Sequence, residues 1–154
     1  MSKRTIGTSL AALVVALLLA SCGGISGSAV PAGTYVLETD TGVWTLELAE
    51  GSFTYSAADT SGTQFAGYRG EFSAFTETGV DEYTADLTSL EEWTSGTTYS
   101  DVTLSGQTIR LVYYSDYPLD DVDAEAVSFY LDTNGDGSYS NTGGNVTILG
   151  MNLQ

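Results

Sequence analysis

The sequence predicts an all-β protein, an antiparallel up-and-down barrel of about eight to nine strands, and three observations carry that expectation. Apolar and polar residues alternate over short stretches, as in Trp44-Thr45-Leu46-Glu47-Leu48, the mark of a strand with one face buried and one in water. β-Branched and aromatic residues are abundant. Glycine-bearing turns such as Thr78-Gly79, Ser95-Gly96 and Ser105-Gly106 separate the stretches at hairpin spacing. Sequential hairpins favour a barrel because closure removes exposed edges. A β-sandwich explains the same pattern and stays open as the alternative.

The chain begins with Lys3 and Arg4, continues with an apolar run from Leu10 to Leu19 and ends its first segment, residues 1–21, in Ala20-Ser21. That order is the anatomy of a secretory signal, and the run is about half of the ~20 apolar residues of a spanning helix. Cys22 follows at once and is the only cysteine. Leu19-Ala20-Ser21-Cys22 resembles the lipobox of bacterial lipoproteins. The resemblance implies that residues 1–21 are removed and that Cys22 carries a diacylglyceryl thioether as the acylated first residue. Gly23, rather than Asp, then implies delivery to the outer membrane of the cell envelope. Residues 22–32 are small and read as a Gly/Ser-rich flexible tether, whose ten-residue coil spans about 17 Å.

The all-β domain is expected over 33–154, with strands at 35–39, 43–49, 52–57, 65–75, 81–89, 97–104, 107–114, 124–131 and 145–153. In the second, Trp44, Leu46 and Leu48 face inward; in the third, Phe53 and Tyr55 do. Gly67 and Gly70 allow a bulge or sharp coil in the fourth. Only 87–93 (LTSLEEW) could host a helical turn. Gly33-Thr34-Tyr35, followed by strands with Gly-x-Phe or Gly-x-Tyr turns, resembles lipocalin-like small barrels over about residues 33–114. Tyr35 stands where those barrels carry Trp, and Arg110 comes too early to be the arginine that covers it.

Composition narrows the chemistry. Beyond residue 21 the chain keeps Arg69 and Arg110 against all 20 acids, a surface that repels nucleic-acid phosphates and anionic lipid head groups. Such acidity fits a saline habitat or cation binding equally well. There is no histidine, no lysine beyond residue 21 and no unmodified thiol, which removes the usual general base, the Schiff-base amine, the thiol nucleophile and ordinary zinc ligands. No catalytic residues are assigned, and an enzyme is not expected.

The sharpest local motif is Asp132-Thr133-Asn134-Gly135-Asp136-Gly137. Oxygen ligands at positions 1, 3 and 5 with glycine at 6 match the first half of an EF-hand loop, with Ser138 supplying a carbonyl at position 7. Position 12 is Gly143 where a bidentate Glu would stand. Calcium on Asp132, Asn134, Asp136 and Ser138 is therefore the one cofactor candidate, and a plain turn is its alternative. Asp116, Asp120, Asp121, Asp123 and Glu125 form a second acidic group in an expected solvated loop around Pro118, a strand's length from the first. Glu91-Glu92 and Glu47/Glu50 invite a paired-carboxylate reading, but pairs arise by chance in so acidic a chain. Residues 109–114 (IRLVYY) are apolar on both faces, as a strand covered on both sides would be, or one facing a cavity or partner.

These observations leave three classes. The first is a lipid-anchored envelope binding or interaction protein, holding a small apolar ligand in a barrel mouth or an envelope protein on an outer face. The second is a structural or adhesive surface lipoprotein with a weak calcium site. The third, most distant, is a carboxylate hydrolase. Whether Trp44, Phe53, Tyr55 and Phe129 fill the barrel or leave a cavity discriminates best.

Overall fold

A computed structural model describes residues 25–119, 122–140 and 144–154. The expected signal, the lipidation candidate Cys22, the acids Asp120 and Asp121 and position 12 of the half-loop, Gly143, lie outside the described residues. Ten antiparallel strands are β1 (Gly33–Glu38), β2 (Gly42–Ala49), β3 (Ser52–Asp59), β4 (Gln64–Phe72), β5 (Thr76–Gly79), β6 (Glu82–Ser95), β7 (Thr98–Asp101), β8 (Thr108–Leu119), β9 (Val122–Leu131) and β10 (Val146–Leu153). Eight of them close a barrel in the order β1-β2-β3-β4-β6-β8-β9-β10, with β4–β6 and β1–β10 pairings completing the ring. The barrel expectation holds, and the sandwich does not.

Alternation drives the wall. Leu46, Leu48, Phe53 and Tyr55 are buried, while Glu47 is exposed and Ser52, Thr54 and Ser56 are half-buried outside. An apolar inside and a Ser/Thr/Glu outside is the reverse of a membrane-spanning barrel.

The long strand β6 organises the side of the barrel where the sequence was hardest to read. Its lower half lies between β5 and β8, and its upper half between β4 and β7. Chain interruptions at 73–75 and 102–107 thus split two long neighbours into β4/β5 and β7/β8. The segment 87–93, expected as a possible helical turn, is strand. The register skips from Glu71↔Ser89 to Phe72↔Leu87, so β6 carries an extra residue and its inward face passes from Leu87 to Leu90. A bulge of this kind mimics helical i, i+3 spacing. Gly70 serves close approach rather than a bulge of its own: a Cβ there would lie 2.3 Å from the Ser89 carbonyl oxygen and 3.1 Å from Phe53.

Residues 25–32 correct the tether expectation. Ile25 and Val30 are 1% and 0% exposed, and the segment plugs one end of the barrel. Phe75 N–H donates to the Ser26 carbonyl (2.9 Å), and Ser26 N–H donates to both Glu50 carboxylate oxygens (3.2 Å). The Tyr35 hydroxyl donates to the Pro31 carbonyl at 2.8 Å. Gly27 is required: its φ is +81°, and a Cβ would fall 2.1 Å from the Phe75 carbonyl oxygen. Two apolar side chains among small residues suffice to dock this stretch. Its composition alone resembles a free linker. We call this plugged end, with the β2–β3 and β5–β6 turns, the lower end; the β1–β2, β3–β4 and β6–β7 turns form the upper end.

Candidate functional site

β9 ends at Leu131, and the chain leaves the wall through the half-loop motif. Asp132 is fully buried. Its Oδ1 accepts the amides of Asn134 (3.2 Å) and Gly135 (2.8 Å), and its Oδ2 accepts that of Gly137 (2.8 Å). Asn134 Oδ1 accepts the Asp136 amide (3.0 Å), while Asn134 Nδ2 donates to Asp136 Oδ2 (3.1 Å). Asp136 Oδ1 accepts the Ser138 amide at 2.7 Å. The left-handed backbone at Gly135 and Gly137 (φ 74° and 76°) lets the amides turn toward the carboxylates. Asp132, Asn134 and Asp136 are thus brought together.

Ser138, whose carbonyl is the fourth expected ligand, is engaged within the loop. Its carbonyl accepts Asn145 Nδ2 at 2.8 Å. Asn145 Oδ1 in turn accepts the Thr133 amide (2.9 Å) and hydroxyl (3.1 Å), so this one side chain ties both arms of the loop. Among the described residues no three His, Cys, Asp or Glu side chains converge as a metal-holding group.

Beyond the motif, the loop folds back on the outside of the barrel. The Tyr139 hydroxyl and Thr108 Oγ1 are 2.6 Å apart, and Thr147 Oγ1 donates to the Tyr139 carbonyl. Arg110 lies over the rings of Tyr130 (4.2 Å) and Tyr139 (4.6 Å), with Glu82 3.7 Å from its guanidinium. Burial pushes the Tyr139 phenol pKa up, opposed by the Thr108 hydrogen bond and Arg110. Gln107, also buried, donates to the Thr103 and Thr133 carbonyls. Within residues 109–114, Ile109 and Leu111 fill the interior, and the loop's own Tyr139 covers Arg110 outside. Sequence reasoning missed Tyr139, Asn145 and Arg110 as one clasp. The signal was a lone aromatic in a Ser/Gly/Asn loop, in a domain with only two cations.

Of the second acidic group, Asp116, Asp123 and Glu125 lie on strands rather than in a loop. β8 and β9 stay paired through Pro118↔Asp123 and Leu119↔Val122, past the last β6 and β10 partners, as a two-stranded arm at the lower end. It is separated from Asp132 by the length of β9, as expected.

The carboxylate pairs do not converge. Glu91 binds Arg69 through two hydrogen bonds (2.5 and 3.0 Å), which holds its carboxyl below the usual range. Glu92, on the opposite face of β6, accepts from the Tyr68 hydroxyl at 3.2 Å. Burial, with Glu92 beside it, pushes the Tyr68 phenol up to about 12. Glu47 points outward from β2, and Glu50 holds Ser26.

The interior is filled by rings. Phe129 packs 5.9 Å from Phe53 and 5.5 Å from Tyr55, and Phe72 packs 4.9 Å from Phe75. Trp44 joins them from the edge, partly buried. Neither a protein-family model, nor a curated protein, nor a solved structure matches the chain.

Proposed function

We propose that the protein is a lipid-anchored interaction protein of a bacterial envelope, and that it binds with the outside of its barrel. The observation that supports an outer rather than an inner site is the filled interior. Phe53, Tyr55 and Phe129 are each no more than 3% exposed, and an apolar ligand entering from either end would have to displace them or the Ile25–Val30 plug.

The anchor rests on Leu19-Ala20-Ser21-Cys22 and the single cysteine. Three residues from Cys22 to the docked Ile25 reach at most about 10 Å, so in this reading the lower end sits close to the bilayer. The upper end then faces away. Labelling with a tagged fatty acid, followed by membrane fractionation, tests the anchor. Cys22-dependent label on a membrane-bound chain is expected, and Cys22→Ser should lose both or remain uncut. A soluble wild-type chain with a free thiol at Cys22 would overturn it.

Calcium on Asp132, Asn134, Asp136 and Ser138 is a second reading. The observation that favours it is that both carboxylates and the amide side chain turn onto one six-residue loop. The ion would compete with the loop's own amides and with the Asn145 bond to Ser138.

A further inference from the structure

The barrel is closed least where its first and last strands meet. β1 is paired with β2 along its whole length, from Gly33↔Leu48 to Glu38↔Val43. With β10 it pairs at Tyr35↔Leu153 and Val36↔Asn152, and the Gln154 amide donates to the Thr34 carbonyl just below them. Above them β10 breaks register between Ile148 and Met151, where Gly150 turns the chain at φ 68°. A bulge bends its strand away and ends the pairing. The result is an open slot of about 450 Å³ in the outer wall, lined by Val36, Leu37, Glu38, Leu149, Asn152 and Gln154 with Gly150.

Three features of the slot point to an occupant. The Gln154 amide donates to the Thr34 carbonyl, so even-numbered residues of β1 present their backbone groups toward β10. Glu38 is the next such residue above Val36, and no β10 residue stands opposite it. Asn152 Oδ1 is buried without a hydrogen-bond partner, an acceptor whose desolvation only an incoming donor offsets. Leu149 is 61% exposed at the rim, a large apolar side chain left mostly open to solvent.

We infer that this slot accepts an extended, basic polypeptide segment that hydrogen-bonds to the Glu38 backbone at the upper end of β1. Backbone pairing to Glu38 gives the peptide its direction, Asn152 takes one of its N–H groups and Leu149 packs an alternate apolar side chain. Charge selects the partner. Glu38 stands at the slot, Asp40 just above it, and Glu47 one strand away on the same outer wall. Arg69 and Arg110 are engaged with Glu91 and Glu82 elsewhere. A second copy of this acidic chain brings like charge to the same wall and is disfavoured.

The proposal deepens the outer-surface reading and rests on it. The test uses the full chain in non-ionic detergent micelles and three peptides of about eight residues: alternating lysine and valine, lysine and proline, and glutamate and valine. Binding is followed by titration and backbone amide NMR. The lysine–valine peptide should bind saturably, with shifts at Glu38, Leu149, Gly150 and Asn152. The proline peptide, equal in charge but unable to pair its backbone, should not shift them. Leu149→Ser, at an exposed position that folding does not need, should weaken binding about tenfold. Equal effects from both lysine peptides, or shifts scattered over every acidic face, would mean counter-ion association and overturn the slot. Binding of the glutamate–valine peptide, or a chain dimer that closes the slot, would overturn it too. If the slot fails while the interior still excludes an apolar probe, the outer-surface reading stands and only this partner falls.

Discussion

A fully buried carboxylate is costly unless its lost water is replaced by donors, and Asp132 obtains three of them from amides within five residues of itself. Removing the side chain orphans those amides. Hydrogen bonds to a charged group are worth about 1.5–3 kcal/mol each and water recovers part of that, so Asp132→Ala should lower stability by about 2–4 kcal/mol. Urea unfolding measures it, and a loss under about 0.5 kcal/mol would mean that the carboxylate does not hold the loop. The buried tyrosines set a pH dependence. Burial raises the phenols of Tyr35, Tyr55 and Tyr68, the last to about 12, above their value in the unfolded chain. The neutral phenol is the form the fold favours. Its contribution is therefore complete below about pH 10 and is lost as pH rises through about 12. Urea midpoints should stay level to about pH 10 and then fall, with part of the phenolate absorbance appearing only on unfolding. Full phenolate absorbance at native midpoints would contradict this.

Among the elements, β2 and β3 were legible because they alternate without interruption. Leu46→Ala, at a fully buried position, should cost about 2–5 kcal/mol, whereas Thr45→Ala on the outer face should cost under about 1 kcal/mol. Equal small losses would show that β2 is not half-buried. β5 was not legible: Thr76-Glu77-Thr78-Gly79 is exposed throughout and has no apolar period to detect. The upper half of β6 was hidden by its bulge, and the β8–β9 arm by Pro118 and a run of aspartates that reads as loop. The half-loop motif was legible as a motif, but not its companions, because Asn145, Tyr139 and Arg110 meet it only through the hairpin of β9 and β10. If the loop also binds calcium, calcium should raise the melting temperature more than magnesium at equal ionic strength. An ion at ten times its Kd adds about 1.4 kcal/mol. Asp136→Asn, at a solvent-facing ligand position, should remove that difference. Equal shifts with both ions would leave the loop a self-held turn.

At the scale of the whole molecule, the fold class and nine of the ten described strands followed from alternation and turn spacing, while the state of the barrel interior did not. No pattern in the sequence distinguishes inward aromatics that fill a barrel from inward aromatics that line a cavity. Only the ring distances of Phe53, Tyr55 and Phe129 decide that. The two ends were equally hidden, since the plug depends on Ile25 and Val30 in an otherwise linker-like stretch. A filled barrel, plugged below and binding outside, is the central claim, and titration with dodecanoate below its micelle concentration tests it most directly, read by methyl NMR of the full chain. The methyls of Leu46, Leu111, Leu131 and Met151, all fully buried, should not move. Saturable shifts of those methyls at one equivalent would mean an interior that opens to an apolar ligand, and would contradict the account.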